Sequence, residues 1–107
     1  MTLKQLKQIL DTTGYPVAYK MFSKQTTPSL PFIVYFETNS DNFKADNRVY
    51  QKVSKINIQL YTKAKSELAQ KTLEDILDQN DIVYESYEDY LVEEKVFLIS
   101  YEIEILK

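Results

Sequence analysis

The chain has 107 residues, of which 44% are hydrophobic and 27% charged, and its formal net charge is −3. This size and composition predict one globular domain spanning residues 1–107 and exclude a disordered chain. Cysteine and histidine are absent and Gly14 is the single glycine, so disulfides, thiolate or imidazole metal sites and a glycine-rich phosphate loop are excluded. We therefore expect no catalysis.

The N-terminal segment has the pattern of a capped helix. Thr2 and Gln5 have the spacing of a capping box. The residues that then recur at helical spacing are Leu3, Leu6, Ile9, Leu10 and Thr13. Gly14 is placed to end the helix in a left-handed conformation, and Pro16 prevents its continuation. The pattern predicts a helix from about Thr2 to Thr13.

Two strands and a polar loop follow this helix. Val17–Phe22 is predicted to form a short strand and Ser23–Leu30 a polar loop. Phe32–Thr38 is nearly all β-branched or aromatic, and both of its faces are apolar. Such a segment is typical of a central strand whose two faces are both at least partly covered.

Residues 35–55, YFETNSDNFKADNRVYQKVSK, interrupt the strand pattern and contain neither glycine nor proline for a tight turn. From Ile56 onward, alternate residues are apolar and point to one face. Extending this alternation backward places Tyr50, Lys52 and Ser54 on the same face. We interpret these residues as evidence that the strand leaves the core before Ser54. The segment is then predicted to project as a hairpin, or to twist through a bulge.

A second helix and two strands complete the pattern. Ser66 is a candidate N-cap and Asn80 a candidate helix end. The apolar stripe between them consists of Leu68, Ala69, Leu73, Ile76 and Leu77. Ile82–Tyr90 is predicted to form a strand and Glu93–Glu94 a turn. Val96–Leu106 is predicted to form a strand in which inward-facing and outward-facing residues alternate without exception.

The predicted order is therefore α-β-β-β-α-β-β. Short connections between neighbouring strands predict antiparallel hairpins, with both helices packed on one face of the sheet. The predicted fold class is α+β: two layers, an antiparallel-dominated sheet, and a long projecting hairpin between the second and third strands.

The charges are distributed unevenly along the chain. Residues 1–65 carry ten Lys/Arg and four Asp/Glu, a net of +6, whereas residues 66–107 carry three and twelve, a net of −9. Two interpretations stand. The signs mix on the folded surface because strands from both halves interleave, or the protein has one basic and one acidic face, which suits head-to-tail association.

The projecting segment mixes basic and aromatic residues. It contains the basic residues Lys44, Arg48, Lys52 and Lys55, with Phe43 and Tyr50 among them. Such a pattern could follow a nucleic-acid backbone. Asp41 and Asp46 lie in the same segment, however, and the whole chain is acidic, whereas a nucleic-acid-binding domain is usually basic. We therefore expect a protein partner.

The acidic and tyrosine-rich segment near residue 90 has two candidate roles. Its carboxylates are Glu85, Glu88, Asp89, Glu93 and Glu94. They lack the alternating ligand spacing and the glycine of an EF-hand loop, so we interpret them as a solvated strand end and predict no metal site. Tyr84, Tyr87 and Tyr90 are three residues apart in a predicted strand, so at least one should face outward as a second candidate interface.

The chain resembles a family at this point. The segments that carry the resemblance are LPFIVYFETNSDNFKADNRVYQK (30–52), INIQLYTKAKSELAQKTLEDIL (56–77), VYE (83–85) and EKVFLISYEIEI (94–105). Together with the opening helix and GYPVAYKMF, they look like small tail-completion proteins of phages and prophages of Gram-positive bacteria. The resemblance covers nearly the whole chain and rests on scaffold and hairpin rather than on a chemical motif.

The resemblance implies a tail terminator. Such proteins form a ring, usually a hexamer, on the head-proximal end of the tail tube, where one face stops tube polymerisation and the other receives the head connector. The implied partners are further copies of the chain, the major tail tube protein and the head connector, without catalysis, cofactor or membrane. The implied locations are the bacterial host cytoplasm during assembly and the neck of the virion afterwards.

The hairpin is the contact that this resemblance implies. Its expected interaction residues, which would touch a neighbouring subunit or the tube, are Asn42, Phe43, Lys44, Asn47, Arg48 and Tyr50. Four other functions stay open. They are a different head–tail connector or minor tail protein, a small prophage-encoded regulatory module that binds a host protein, a nucleic-acid-binding domain with strongly salt-dependent affinity, and, last, an enzyme.

Overall fold

The computed structural model describes residues 1–23, 25, 27–45 and 48–106, and for residues 39–45 and 48–52 it describes the backbone alone. In these ranges the elements are α1 (Leu3–Asp11), β1 (Val17–Tyr19), β2 (Phe32–Ala45), β3 (Arg48–Thr62), α2 (Glu67–Gln79), β4 (Glu85–Leu91) and β5 (Val96–Leu106). The predicted element order and the α+β class are confirmed. Neither helix is long and apolar enough to cross a membrane.

Side-chain caps fix where both helices begin. The Thr2 hydroxyl accepts a hydrogen bond from the Gln5 backbone N–H at 3.1 Å, and the Gln5 side chain accepts one from the Thr2 N–H at 2.8 Å. This is the reciprocal capping box that the sequence predicts. The Ser66 hydroxyl accepts from the Ala69 N–H at 3.1 Å and starts α2 as expected. After α1, Gly14 takes a φ of +86°, which glycine adopts without strain.

The sheet has the strand order β1-β2-β3-β5-β4 within the described residues. The pairs β2–β3, β3–β5 and β4–β5 are antiparallel, as expected. The first pair is different, because β1 runs parallel to β2, with Val17 opposite Ile33. The expectation of antiparallel hairpins throughout was therefore wrong for β1. Residues 20–31 connect the two strands, and a parallel pair needs a crossover of about this length, roughly a dozen residues.

The core lies between the two helices and one face of the sheet. Its buried members are Leu6, Leu10, Ile33, Tyr35, Ile56, Ile58, Leu60, Ala69, Leu73, Leu77, Ile82, Ile99, Tyr101, Ile103 and Ile105. On the other face of β2, Val34 is also buried. The prediction that both faces of β2 are covered is therefore confirmed at its centre.

The chain between α2 and β4 packs against the core before it joins the sheet. Ile82 is buried, and its N–H donates to the Leu77 carbonyl at 2.9 Å. Asp81, just before it, has a φ of +55°. The strand predicted over Ile82–Tyr90 therefore begins only at Glu85, because the preceding residues are held by the end of α2.

Candidate assembly interface

The hairpin formed by β2 and β3 extends past the rest of the sheet. The parallel pairing of β1 with β2 reaches Tyr35, and the pairing of β5 with β3 stops at Val53. From Asn39 to Ala45 the described backbone of β2 pairs only with β3, with Ala45 opposite Arg48. We call residues 39–52 the arm. The part of β3 that lies beyond the end of β5 is residues 48–52, and at about 3.3 Å per residue it carries the arm roughly 17 Å past the sheet. The projecting hairpin is confirmed for the backbone.

Two register shifts interrupt this hairpin. One lies between Glu37 and Asn39, so that Thr38 is the extra residue at the base of the arm. The other lies between Phe43 and Lys44, where Tyr50 is the extra residue on β3. Bulges of this kind bend a strand and increase its local twist. The sequence predicted either a projecting hairpin or a twist through a bulge, and the arm has both features.

Ser54 lies inside the core rather than beyond it. Its side chain is 1% exposed, and its backbone is opposite Ile105 of β5. Within the described part of the chain its hydroxyl has no hydrogen-bond partner. The prediction that β3 leaves the core before Ser54 was therefore wrong. The small side chain is enclosed because β5 continues to Leu106 and covers this end of β3.

The predicted interaction residues of the arm are placed only by their backbone. Those within the strands are Asn42, Phe43, Lys44, Arg48 and Tyr50, and their side chains lie outside the described part of the structure. Asn47 lies outside the described residues altogether. The register puts these strand positions in the part of the hairpin that no other described strand pairs with. Their contact with a partner stays a prediction.

The three tyrosines of the second candidate interface do not form one patch. Tyr87 and Tyr90 are 53% and 42% exposed, so at least one tyrosine faces outward as expected. They lie on opposite faces of the sheet, because Tyr87 is opposite Ser100 and Tyr90 is opposite Phe97. Tyr84 precedes β4 and is half-buried. Contact of the three tyrosines with a partner stays a prediction, and the exposure of the side chains favours it only for Tyr87 and Tyr90.

Tyr84 instead belongs to an internal cluster around Glu74 of α2. Its hydroxyl donates to Glu74 Oε1 at 3.1 Å, and the hydroxyl of buried Tyr101 donates to Glu74 Oε2 at 2.8 Å. The two rings meet edge to face, with centroids 5.4 Å apart. One carboxylate thus joins α2 to β5 and to the segment before β4. No local sequence pattern predicts this cluster, because its members are far apart in the chain.

This cluster makes the protein sensitive to high pH. Burial, and then the nearby Glu74 carboxylate, raises the pKa of Tyr84 from 10.0 to about 12. Burial and the hydrogen bond to Glu74 raise the pKa of Tyr101 well above its ordinary value. Both phenols are protonated in the folded and unfolded protein below pH 10, so their contribution to stability is complete there.

We expect the free energy of unfolding to fall from pH 10 to about 12, because the unfolded chain loses phenolic protons that Tyr84 retains in the folded state. Tyr101 also retains its proton in the folded state, so its contribution falls from the same pH and continues to fall above this range. Denaturant titrations across this range measure the effect. In the Tyr84→Phe/Tyr101→Phe variant the decline should be shallower. An equally steep decline in this variant would contradict the assignment.

A groove lies beside the base of the arm. Its volume is about 890 Å³, and its walls come from Met1, the arm base (Thr38 and Lys55), residues 81–85, and the end of β5 (residues 102–106). Val83 and Leu106 are exposed apolar residues on its rim. No local sequence pattern predicts the groove, because it is assembled from five separate parts of the chain.

The groove is acidic and has an open backbone edge. The carboxylates that line it are Asp81, Glu85, Glu102 and Glu104. The pairing of β4 with β5 ends at Glu85 opposite Glu102. In the described structure, residues 103–106 of β5 therefore pair with β3 alone, and their other edge faces the groove. Such an edge can accept a further strand.

The chain matches no protein-family model, and it matches no curated protein.

Proposed function

We propose that this protein is a non-enzymatic assembly subunit that binds other protein molecules through its arm. The observation that carries the proposal is the length of β2 and β3: their backbones continue as a two-stranded ribbon after their pairing with β1 and β5 has ended. An isolated two-stranded hairpin is at best marginally stable in water. A partner surface that orders and covers the arm supplies the missing contacts.

The particular role proposed is that of a phage or prophage tail terminator. The support for this step is the resemblance of the arm and its flanking strands to tail-completion proteins. Copies would form a ring at the head-proximal end of the tail tube, and the proposed stoichiometry is the hexamer of that family. One ring face would stop polymerisation of the tube protein, and the other would bind the head connector. No catalytic residue or cofactor takes part.

The geometry of the subunit suits a ring. Heterologous contacts place different surfaces of one subunit against its two neighbours, and they close when the rotation between copies permits. The arm extends past one end of the sheet, and the groove and the exposed tyrosines lie outside the arm. A subunit with such distinct surfaces can contact two neighbours at once. Assembly would occur in the host cytoplasm, and the finished ring would stay in the virion neck.

Deletion of the gene from the genome that encodes this chain tests the proposal. Electron microscopy of the lysate should show tails of uncontrolled length that are not attached to filled heads, because nothing caps the tube. Expression of the intact chain from a plasmid should restore tails of uniform length. Attached tails of normal length in the deletion lysate would overturn the terminator function.

A further inference from the structure

We infer that the acidic groove beside the arm base is the acceptor for the arm of a second copy of this chain. The inference rests on the proposed function, since it names the surface by which one subunit of the assembly receives the next. Neither the resemblance nor the arm itself specifies an acceptor. The groove supplies three separate properties that an arm of this composition requires.

The first property is an unpaired strand edge. Among the residues that the structure describes, residues 103–106 of β5 pair with β3 on one side only. Along a strand, successive residues direct their backbone N–H and C=O groups alternately to the two sides, so two of these four residues point theirs toward the groove. An arriving strand of the arm can pair with them and extend the sheet. Main-chain hydrogen bonds of this kind supply affinity with little dependence on sequence.

The second property is charge of the opposite sign. The groove has four carboxylates against Lys55, a net side-chain charge of −3. The arm carries Lys44, Arg48 and Lys52 against Asp41 and Asp46, a net of +1. Complementary charge of this kind raises association rates and fixes orientation. In the inferred contact, a segment from the basic half of the sequence lies against carboxylates from the acidic half.

The third property is exposed apolar surface. Val83 and Leu106, on the groove rim, are 87% and 53% exposed. The arm brings Phe43, Val49 and Tyr50, apolar or aromatic residues that could cover them. The groove lies at the base of its own subunit's arm, while that arm extends roughly 17 Å past the end of the sheet. Each copy can therefore occupy its neighbour's groove and leave its own groove for another copy.

Cross-linking of single-cysteine variants tests this contact, and the absence of native cysteine makes it specific. Gln51→Cys marks the arm, Glu104→Cys marks the groove, and Lys63→Cys is an exposed control position outside the groove. Mixed pairs are treated with a short thiol-reactive cross-linker, both as purified protein at high concentration and in tails assembled in a lysate. The Gln51→Cys and Glu104→Cys variants should form a covalent dimer, whereas Gln51→Cys and Lys63→Cys should not.

Charge reversal provides an independent measurement on the same cross-link. Glu85→Lys/Glu102→Lys in the groove protein should slow the cross-link by about tenfold, because the encounter loses its electrostatic attraction. Lys44→Glu/Arg48→Glu in the arm protein should restore the rate. No restoration, or equal cross-linking of the arm to Lys63→Cys, would overturn the inference.

The outcomes separate this inference from the proposed function. Length-controlled tails that carry the variants without any cross-link between positions 51 and 104 would preserve the terminator function and overturn the groove as acceptor. A cross-link from position 51 only to another position 51, or only to the tube protein, would also overturn it. A double-cysteine chain that yields dimers and nothing larger would support the groove as acceptor and count against a ring.

Discussion

Replacing residues 42–52 with Asn-Gly is expected to abolish assembly while changing the free energy of unfolding by no more than about 1 kcal/mol. Asp41 and Val53 are opposite each other in the register, so a two-residue turn can join them. Every core member among the residues whose side chains the structure describes lies outside the removed segment. The shortened protein should therefore keep its fold and lose only the surface that contacts its partners.

Two measurements check this result. Circular dichroism with denaturant titration reports the fold, and complementation of the gene deletion reports assembly through the yield of infectious particles. The double variant Phe43→Ala/Arg48→Ala keeps the length of the arm and changes only two predicted contact residues. Its yield of infectious particles should lie between those of the intact chain and the shortened one. Full complementation by the shortened protein would show that the arm is not the contact.

The second large effect is expected in the core. Leu73→Ala should lower the free energy of unfolding by about 3 kcal/mol, within the range of about 2–5 kcal/mol for such buried truncations. Leu73 is 0% exposed on the face of α2 that meets the sheet. Its removal leaves a cavity that the helix and strands around it can fill only in part. Chemical denaturation followed by circular dichroism measures the change.

The same helix offers a matched control. Leu68 is also in α2 but is 75% exposed, so Leu68→Ala makes the same chemical change without opening a cavity. It should alter the free energy of unfolding by no more than about 0.5 kcal/mol. A similar decrease in the free energy of unfolding for the two variants would contradict the placement of α2 on the sheet.

Local signals in the sequence predicted most of the fold. Thr2 and Gln5 form the reciprocal cap that their spacing indicated, and Ser66 caps α2. Alternation along Val96–Leu106 predicted which residues of β5 enter the core. These predictions succeed because caps and alternation depend on residues that are close together in the chain.

Features that depend on distant segments were not predictable in this way. The parallel pairing of β1 depends on how residues 20–31 cross over, and no short pattern encodes it. Ser54 is buried because β5 happens to extend beside it, although a serine at that position indicates exposure. The groove and the Glu74 cluster bring together residues from separate elements, so neither has a signature in one stretch of sequence.

The arm also has a consequence for solubility. A ribbon of two strands exposes a row of backbone donors and acceptors on each side, and such edges invite uncontrolled stacking into aggregates. Five of the residues between 39 and 52 are charged, namely Asp41, Lys44, Asp46, Arg48 and Lys52. Charged side chains at an open edge oppose this stacking because like charges would be forced together. The polar composition that breaks the strand pattern thus protects the newly made chain from aggregation.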